Sequence, residues 1–201
     1  MPKIVNHNEQ REMIAEVAWR IVSRDGVDAA SVRNIAKEAG LSMGSMRHYF
    51  RSQAELCIYL MELVNAKAKK RIESMIATTS SPTFQQLVDL TMQLLPIHNE
   101  TKTEMEVWLW FHAKVPSTPE LQPLNKMNYE GSYLLFKLVI DALIHLQMAK
   151  PTIEAQYEID RLFALVDGLS MHCYLHPNYV SAEKITYIVT RHLEDLCVPA
   201  K

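Results

Sequence analysis

The residues Ser31–Phe50, SVRNIAKEAGLSMGSMRHYF, hold the pattern from which the rest of the chain can be read. Ser31 is a helix-capping residue, and Val32, Ile35, Ala36 and Ala39 follow at helical spacing, which predicts a short helix over Val32–Glu38 with one apolar face. Gly40 stops it, and Ser42 opens a second short helix. The small side chains of Ala36 and Ala39 let two backbones cross closely. Ile35, Ala36 and Ala39 are therefore expected to pack against Leu41, Met46 and Phe50. Two short helices joined by a tight turn make a helix-turn-helix. Met46 and Phe50, four apart, face inward, which leaves Ser42, Met43, Ser45, Arg47, His48 and Tyr49 to enter a major groove wide enough for one helix. Gly44 removes a side chain where backbone and DNA would approach.

Charge around the motif agrees with an anionic partner. From Ser31 to Arg51 there are four basic residues (Arg33, Lys37, Arg47, Arg51) and one acidic residue (Glu38). Residues 1–52 hold eight Lys/Arg and six Asp/Glu, a net +2, and residues 53–201 hold thirteen and seventeen, a net −4. A patch of this size suits phosphate, but it is equally the composition of a solvated helix face.

Outside the motif the helical pattern continues. Asn6 or Asn8 can cap a first helix whose apolar residues Ile14, Val17, Ala18, Ile21 and Val22 share one face and which stops at Asp25-Gly26. Ser52-Gln53-Ala54-Glu55 reads as a capping box for a long helix to about Ile76. After Thr78-Thr79-Ser80, Ser81-Pro82 reads as the start of a helix to Pro96, and Thr101-Lys102-Thr103-Glu104 as the start of one to Val115. Helices are expected from Leu121 or Asn125 to Met148, from Pro151-Thr152 to about Tyr174, and from Ser181 to Leu196. Nine or ten helices and no strand predict an all-α chain. The helix-turn-helix domain over residues 1–52 is joined through the long fourth helix to a helical body over residues 53–201.

Several function classes are excluded. Apolar residues make up 48% and charged residues 22%, the balance of a packed globular chain and not of a disordered one. No apolar run approaches the roughly 20 residues of a membrane span, and the stretch Met1–Glu9 has no apolar region of a secretory signal, so a cytoplasmic protein is expected. Cys57, Cys173 and Cys197 are scattered and odd in number, which fits a reducing compartment. His172, Cys173 and His176 carry metal-capable atoms, but no metalloenzyme motif surrounds them, and no phosphate-binding glycine loop or nucleophile signature is present. Neither a metal nor a cofactor is expected, nor an enzyme.

The larger pattern is a helix ending in Asp25-Gly26, then Ser31, Ile35-Ala36, Ala39-Gly40-Leu41-Ser42, Gly44, Tyr49-Phe50 and Ser52, then a long helix. It resembles the DNA-binding domain of the TetR (tetracycline repressor) family. The run Arg47-His48-Tyr49-Phe50, and more weakly Val107–Ala113 and Asp167-Gly168-Leu169, resembles the betaine-choline (BetI-like) branch. The resemblance implies that Ser31, Arg33, Ser42, Met43, Gly44, Ser45, Arg47, His48, Tyr49 and Gln53 meet DNA. Ser31 stands where the family has a threonine on phosphate. Arg47 stands where the common pattern has a tyrosine, and an arginine there binds either phosphate or guanine. Gln53 replaces the usual lysine, so only its backbone N–H at a helix N-terminus remains to favour phosphate.

The resemblance also implies a homodimer through helices about 125–148 and 153–174, a palindromic operator in double-stranded DNA, and a small-molecule effector. In the later helix Ile159, Leu162, Phe163, Val166, Leu169, Ser170 and Cys173 form an apolar stripe that serves either the dimer or the internal core. Met105, Trp108, His112, Tyr133, Phe136 and His172 are the candidates for an effector pocket, which needs apolar walls and a few placed polar groups. A regulator that releases its operator when the effector binds is the leading expectation. The alternative is an all-helical ligand-binding or interaction protein that no longer binds specific DNA.

Overall fold

A computed structural model describes residues 7–77 and 81–199. Among these residues there are nine α-helices and no strand: α1 (His7–Asp25), α2 (Val32–Glu38), α3 (Met43–Arg47), α4 (Gln53–Ile76), α5 (Phe84–Thr91), α6 (Asn99–Lys114), α7 (Gln122–His145), α8 (Ala155–Leu175) and α9 (Ala182–Leu196). An all-α fold is what the glycine-poor, helically spaced sequence predicts.

The chain forms two compact units, and they do not divide at residue 52. The first runs to Ala66 and takes in Glu106–Asn125; the second holds Lys67–Met105 and the chain from Lys126 onward. The reason lies in α4. Its first half buries Leu56, Cys57, Leu60, Met61 and Val64 in the same core as Ile14, Ala18, Ile21 and Val22 of α1, Ile35 of α2 and Met46 of α3. Val107 and Phe111 of α6 complete that core. Tyr59 ties α4 to α1 by donating its hydroxyl to the Arg11 carbonyl at 2.7 Å, and burial pushes its pKa up to about 12.

In the second unit α5, α7, α8 and α9 enclose Leu87, Val88, Phe136, Val139, Ile140, Leu143, Leu162, Val166, Ile185, Val189 and Leu193. The apolar stripe of α8, Ile159 to Cys173, lies inside this core. Of the two roles the sequence left open for it, dimer contact and internal core, the stripe therefore has the second. Other residues of the same helix, Tyr157, Met171 and Leu175, stand exposed, as do Met127, Leu134, Leu138 and Ile144 of α7.

Several helix boundaries differ from expectation. α1 begins at His7, so Asn8 lies inside it; Asn6, like the Thr78-Thr79-Ser80 break, lies outside the described residues. Thr83, not Ser81, caps α5 in a reciprocal capping box with Gln86, and α5 ends at Thr91 in a 3₁₀ turn, Met92–Leu94. α6 starts two residues before Thr101, which instead accepts from the His98 N–H at 3.1 Å. At the start of α4 Ser52 accepts from the Glu55 N–H, but the Glu55 carboxylate reaches the N–H of Arg51 and not of Ser52, so the box is only half formed. α8 starts at Ala155, not at Pro151-Thr152. The preceding backbone is held extended against the end of α9 by Lys150 N–H to Leu196 O at 2.8 Å and Val198 N–H to Met148 O at 2.9 Å. α7 stops at His145, with Gln147 just past its end at φ +58°.

A buried ion pair holds α4 to α6 within the second unit. Arg71 donates both terminal nitrogens to Glu104. Pairing raises the Arg71 pKa, whereas for the nearly buried Glu104 the loss of water outweighs the pairing and its carboxyl titrates above the usual range.

Candidate nucleic-acid interface

Local capping sets the geometry of the motif. Ser31 Oγ accepts from the Asn34 N–H at 3.2 Å and opens α2. Gly40, at φ +66°, ends it: Leu41 N–H reaches Ala36 O at 2.9 Å and Gly40 N–H reaches Lys37 O at 3.3 Å, the paired bonds of a Schellman cap. Ser42 Oγ then accepts from the Ser45 N–H at 3.0 Å and opens α3. Ile35, Ala36, Met46 and Phe50 are buried, and Ala39 and Leu41 pack against them. This is the inward face expected from the sequence.

The outward face divides the predicted residues. Met43, Arg47 and His48 are exposed, with His48 just beyond the last turn of α3. Ser42 and Ser45 share a hydroxyl–hydroxyl bond at 3.0 Å, so each has a local partner. Tyr49 is half-buried and packs on the core, which makes it partly structural. Arg33 on α2 and Gln53 at the first position of α4 are exposed. At Gly44 an added Cβ would meet Ser42 Oγ at 3.6 Å, an ordinary contact, so packing within the protein does not require glycine there.

The charges sort themselves by pairing. Glu38, the acid within the motif, is held by Arg24 at 2.8 Å and approached by Arg20 at 3.8 Å. The Arg24 guanidinium hydrogen-bonds both Asp25 and Glu38 and holds their carboxyls below the usual range. Among the described residues Arg33, Lys37, Arg47 and Arg51 have no ion-pair partner, and all four are exposed. A cleft of about 400 Å³ between α2 and α3 is lined by Arg33, Asn34, Ala36, Lys37, Leu41 and Met43. Lys37 was read from the sequence only as part of the basic excess, and Asn34 was not singled out for DNA; the two stand exposed one turn apart on α2.

The residues expected to line an effector pocket have varied surroundings. Trp108 and His112 stack at 3.8 Å in the first unit, and His112 Nδ1 donates to the Trp108 carbonyl at 2.8 Å. Burial lowers the His112 pKa and favours the neutral ring, whose Nε2 is then an acceptor. In the second unit Phe136 is fully buried against Phe163 at 5.1 Å, so it fills the core, and Met105 is buried. Tyr133 donates its hydroxyl to Gln156 at 2.9 Å. His172 is exposed, 6.2 Å from His176 between ring centroids. None of the six lines a second cavity of about 480 Å³ walled by Tyr157, Glu158, Arg161, His192, Asp195 and Leu196. Among the described residues no three His, Cys, Asp or Glu side chains are grouped to hold a metal, and no helix is long and apolar enough to cross a membrane.

Comparison with known proteins agrees with this geometry. Residues 14–60 match the model of bacterial regulatory proteins of the tetR family, and residues 84–198 match the BetI-type transcriptional repressor C-terminal model. The chain is 35% identical over 198 residues to the HTH-type transcriptional regulator PksA of Bacillus subtilis, covering 98% of this chain and 95% of the relative. It is 22% identical to the HTH-type regulator BetI of Vibrio atlanticus, covering 96% of this chain and 94% of that one. In fold it is similar to a protein from Saccharomonospora viridis solved in complex with choline, with a TM-score of 0.80, 23% identity, and coverage of 96% and 100%. A transcriptional regulator from a Rhodococcus species gives a TM-score of 0.76 at 23% identity, covering 94% of this chain and 99% of that one.

Proposed function

The chain belongs to the TetR family of bacterial transcriptional regulators, with a DNA-binding helix-turn-helix and a C-terminal regulatory region, and from that premise we propose that it is a cytoplasmic, dimeric repressor that releases a palindromic operator when a small molecule binds. The observation that carries the DNA-binding part is the set of exposed cations on α2, α3 and the turn that follows α3. Four exposed cations without ion-pair partners among the described residues stand on a scaffold whose other face is buried. Met43, Ser45, Arg47 and His48 read bases or line the backbone, and Ser31, Tyr49 and the Gln53 N–H meet phosphate.

Dimerisation is supported by the exposed apolar residues of α7 and α8, Met127, Leu134, Leu138, Met171 and Leu175. A two-fold pair presents two α3 helices to half-sites about one DNA turn apart, or a small multiple of it. The Trp108–His112 stack supports an effector contact on α6, where a neutral His112 offers Nε2 to a donor on the ligand. The effector need only bind the DNA-incompetent state better, and 2–3 kcal/mol of coupling changes operator affinity roughly 30- to 150-fold.

The test is selection of duplexes from a random DNA library, followed by fluorescence anisotropy with the selected duplex and a scrambled control across a salt series. Palindrome-dependent binding that weakens linearly in log salt is expected. Equal, weak binding to both duplexes overturns the reading.

A further inference from the structure

The link between α1 and α2 is poorly capped by its own sequence. α1 ends at Asp25, and Gly26 follows at φ +87°, ψ 163°, a backbone open essentially to glycine. This is positive φ but not the left-handed helical cap its position suggests. The 3₁₀ turn Val27–Ala29 comes next, and Gly26 offers it no side-chain cap. Val27 is buried, so its N–H needs an acceptor from the protein.

That acceptor comes from 79 residues away. Glu106 Oε1 on α6 accepts the Val27 N–H at 2.7 Å. The same oxygen lies 3.1 Å from where a Cβ on Gly26 would stand, so a side chain at position 26 would crowd the carboxylate as well as strain the backbone. The turn feeds directly into the motif. Ser31 N–H bonds Ala29 O at 2.9 Å, and the Asn34 side chain on α2 donates to the same carbonyl at 2.9 Å. Val107 and Phe111, beside and one turn beyond Glu106, are fully buried in the core that α1, α2 and α3 share, which gives the carboxylate a rigid base. One end of the turn is thus held by α6 and the other by α2.

We propose that Glu106 is a positioning residue for DNA binding: its carboxylate caps the Val27–Ala29 turn and thereby fixes where the helix-turn-helix begins. The DNA-binding unit is then discontinuous in sequence, with a required group more than fifty residues beyond the motif. The inference rests on the regulator reading.

The test combines hydrogen exchange at the Val27 amide with anisotropy on the duplex that the wild-type protein selects. For Glu106→Ala, loss of the acceptor for a buried N–H raises Val27 exchange about tenfold or more. Affinity for the selected duplex falls roughly five- to tenfold as the turn loosens. Glu106→Gln keeps an acceptor oxygen and restores both. If the alanine variant does not fold, Glu106→Asp, one methylene shorter, is the probe and shows the same two losses. Wild-type exchange and affinity in the alanine or aspartate variant overturn the proposal. So does a lower melting temperature with unchanged affinity of the folded protein, which would make Glu106 merely structural. A wild-type protein that selects no duplex overturns the regulator reading itself, whatever the variants do.

Discussion

Replacing Arg47 by alanine should change the salt dependence of DNA binding by a calculable amount. Arg47 is the last residue of α3, exposed, and without an ion-pair partner among the described residues. Its neighbour Met46 anchors the helix, so the substitution should alter stability by less than about 0.5 kcal/mol. Four such cations per protomer, each neutralising a phosphate in the proposed dimer, set an upper slope of log affinity against log salt of about −7. Removing Arg47 from both half-sites releases two fewer counterions and flattens the slope to about −5. Between 50 and 200 mM salt the wild-type protein then loses about 20,000-fold in affinity and the variant about 2,000-fold. Anisotropy titrations at five salt concentrations measure this, with Arg47→Lys as the charge-retaining control. A uniform loss over all duplexes assigns Arg47 to phosphate; a loss confined to the selected duplex assigns it to guanine. An unchanged slope together with unchanged affinity would refute the claim that this face meets DNA.

Other consequences concern packing and assembly. Gly44→Ala should leave the melting temperature within about 1 °C, because the new methyl finds only Ser42 Oγ at 3.6 Å, yet weaken binding to the selected duplex if backbone approaches DNA there; wild-type affinity would remove that role. Arg71→Met should cost about 2–4 kcal/mol in urea unfolding at pH 7, because Glu104 is left buried and charged. In the wild-type protein the raised Glu104 pKa means its contribution to stability is fully present below the unfolded value and is lost as pH rises through the folded one. The Arg71→Met penalty should therefore shrink as pH falls toward 4.5 and Glu104 protonates; an equal penalty at both pH values would contradict this. Leu134→Glu with Leu138→Glu on the exposed face of α7 should convert the proposed dimer to a helical monomer in sedimentation. A dimeric double variant would exclude this face of α7 from the interface.

The sequence alone determined the helical character of the chain and the inward face of the motif, because both depend on contacts within a few residues. Val32–Glu38 and its packing residues were legible from three- and four-residue spacing, and the caps at Ser31, Ser42 and Ser181 from residue type beside an apolar run. Caps were misplaced where two hydroxyls competed, as at Ser81 and Thr83, and where distant backbone intervened, as at Lys150, which pairs with Leu196. An apolar stripe states that a face is buried but not against what, so the α8 stripe could be assigned to the core only once α5, α7 and α9 were seen around it. The extension of the first unit to Ala66 and Glu106–Asn125, and the capping of Val27 by Glu106, were decided by the tertiary structure alone. A hydrogen bond between groups 79 residues apart leaves no periodic trace in sequence, because only the packing of Val107 and Phe111 brings that carboxylate to the turn.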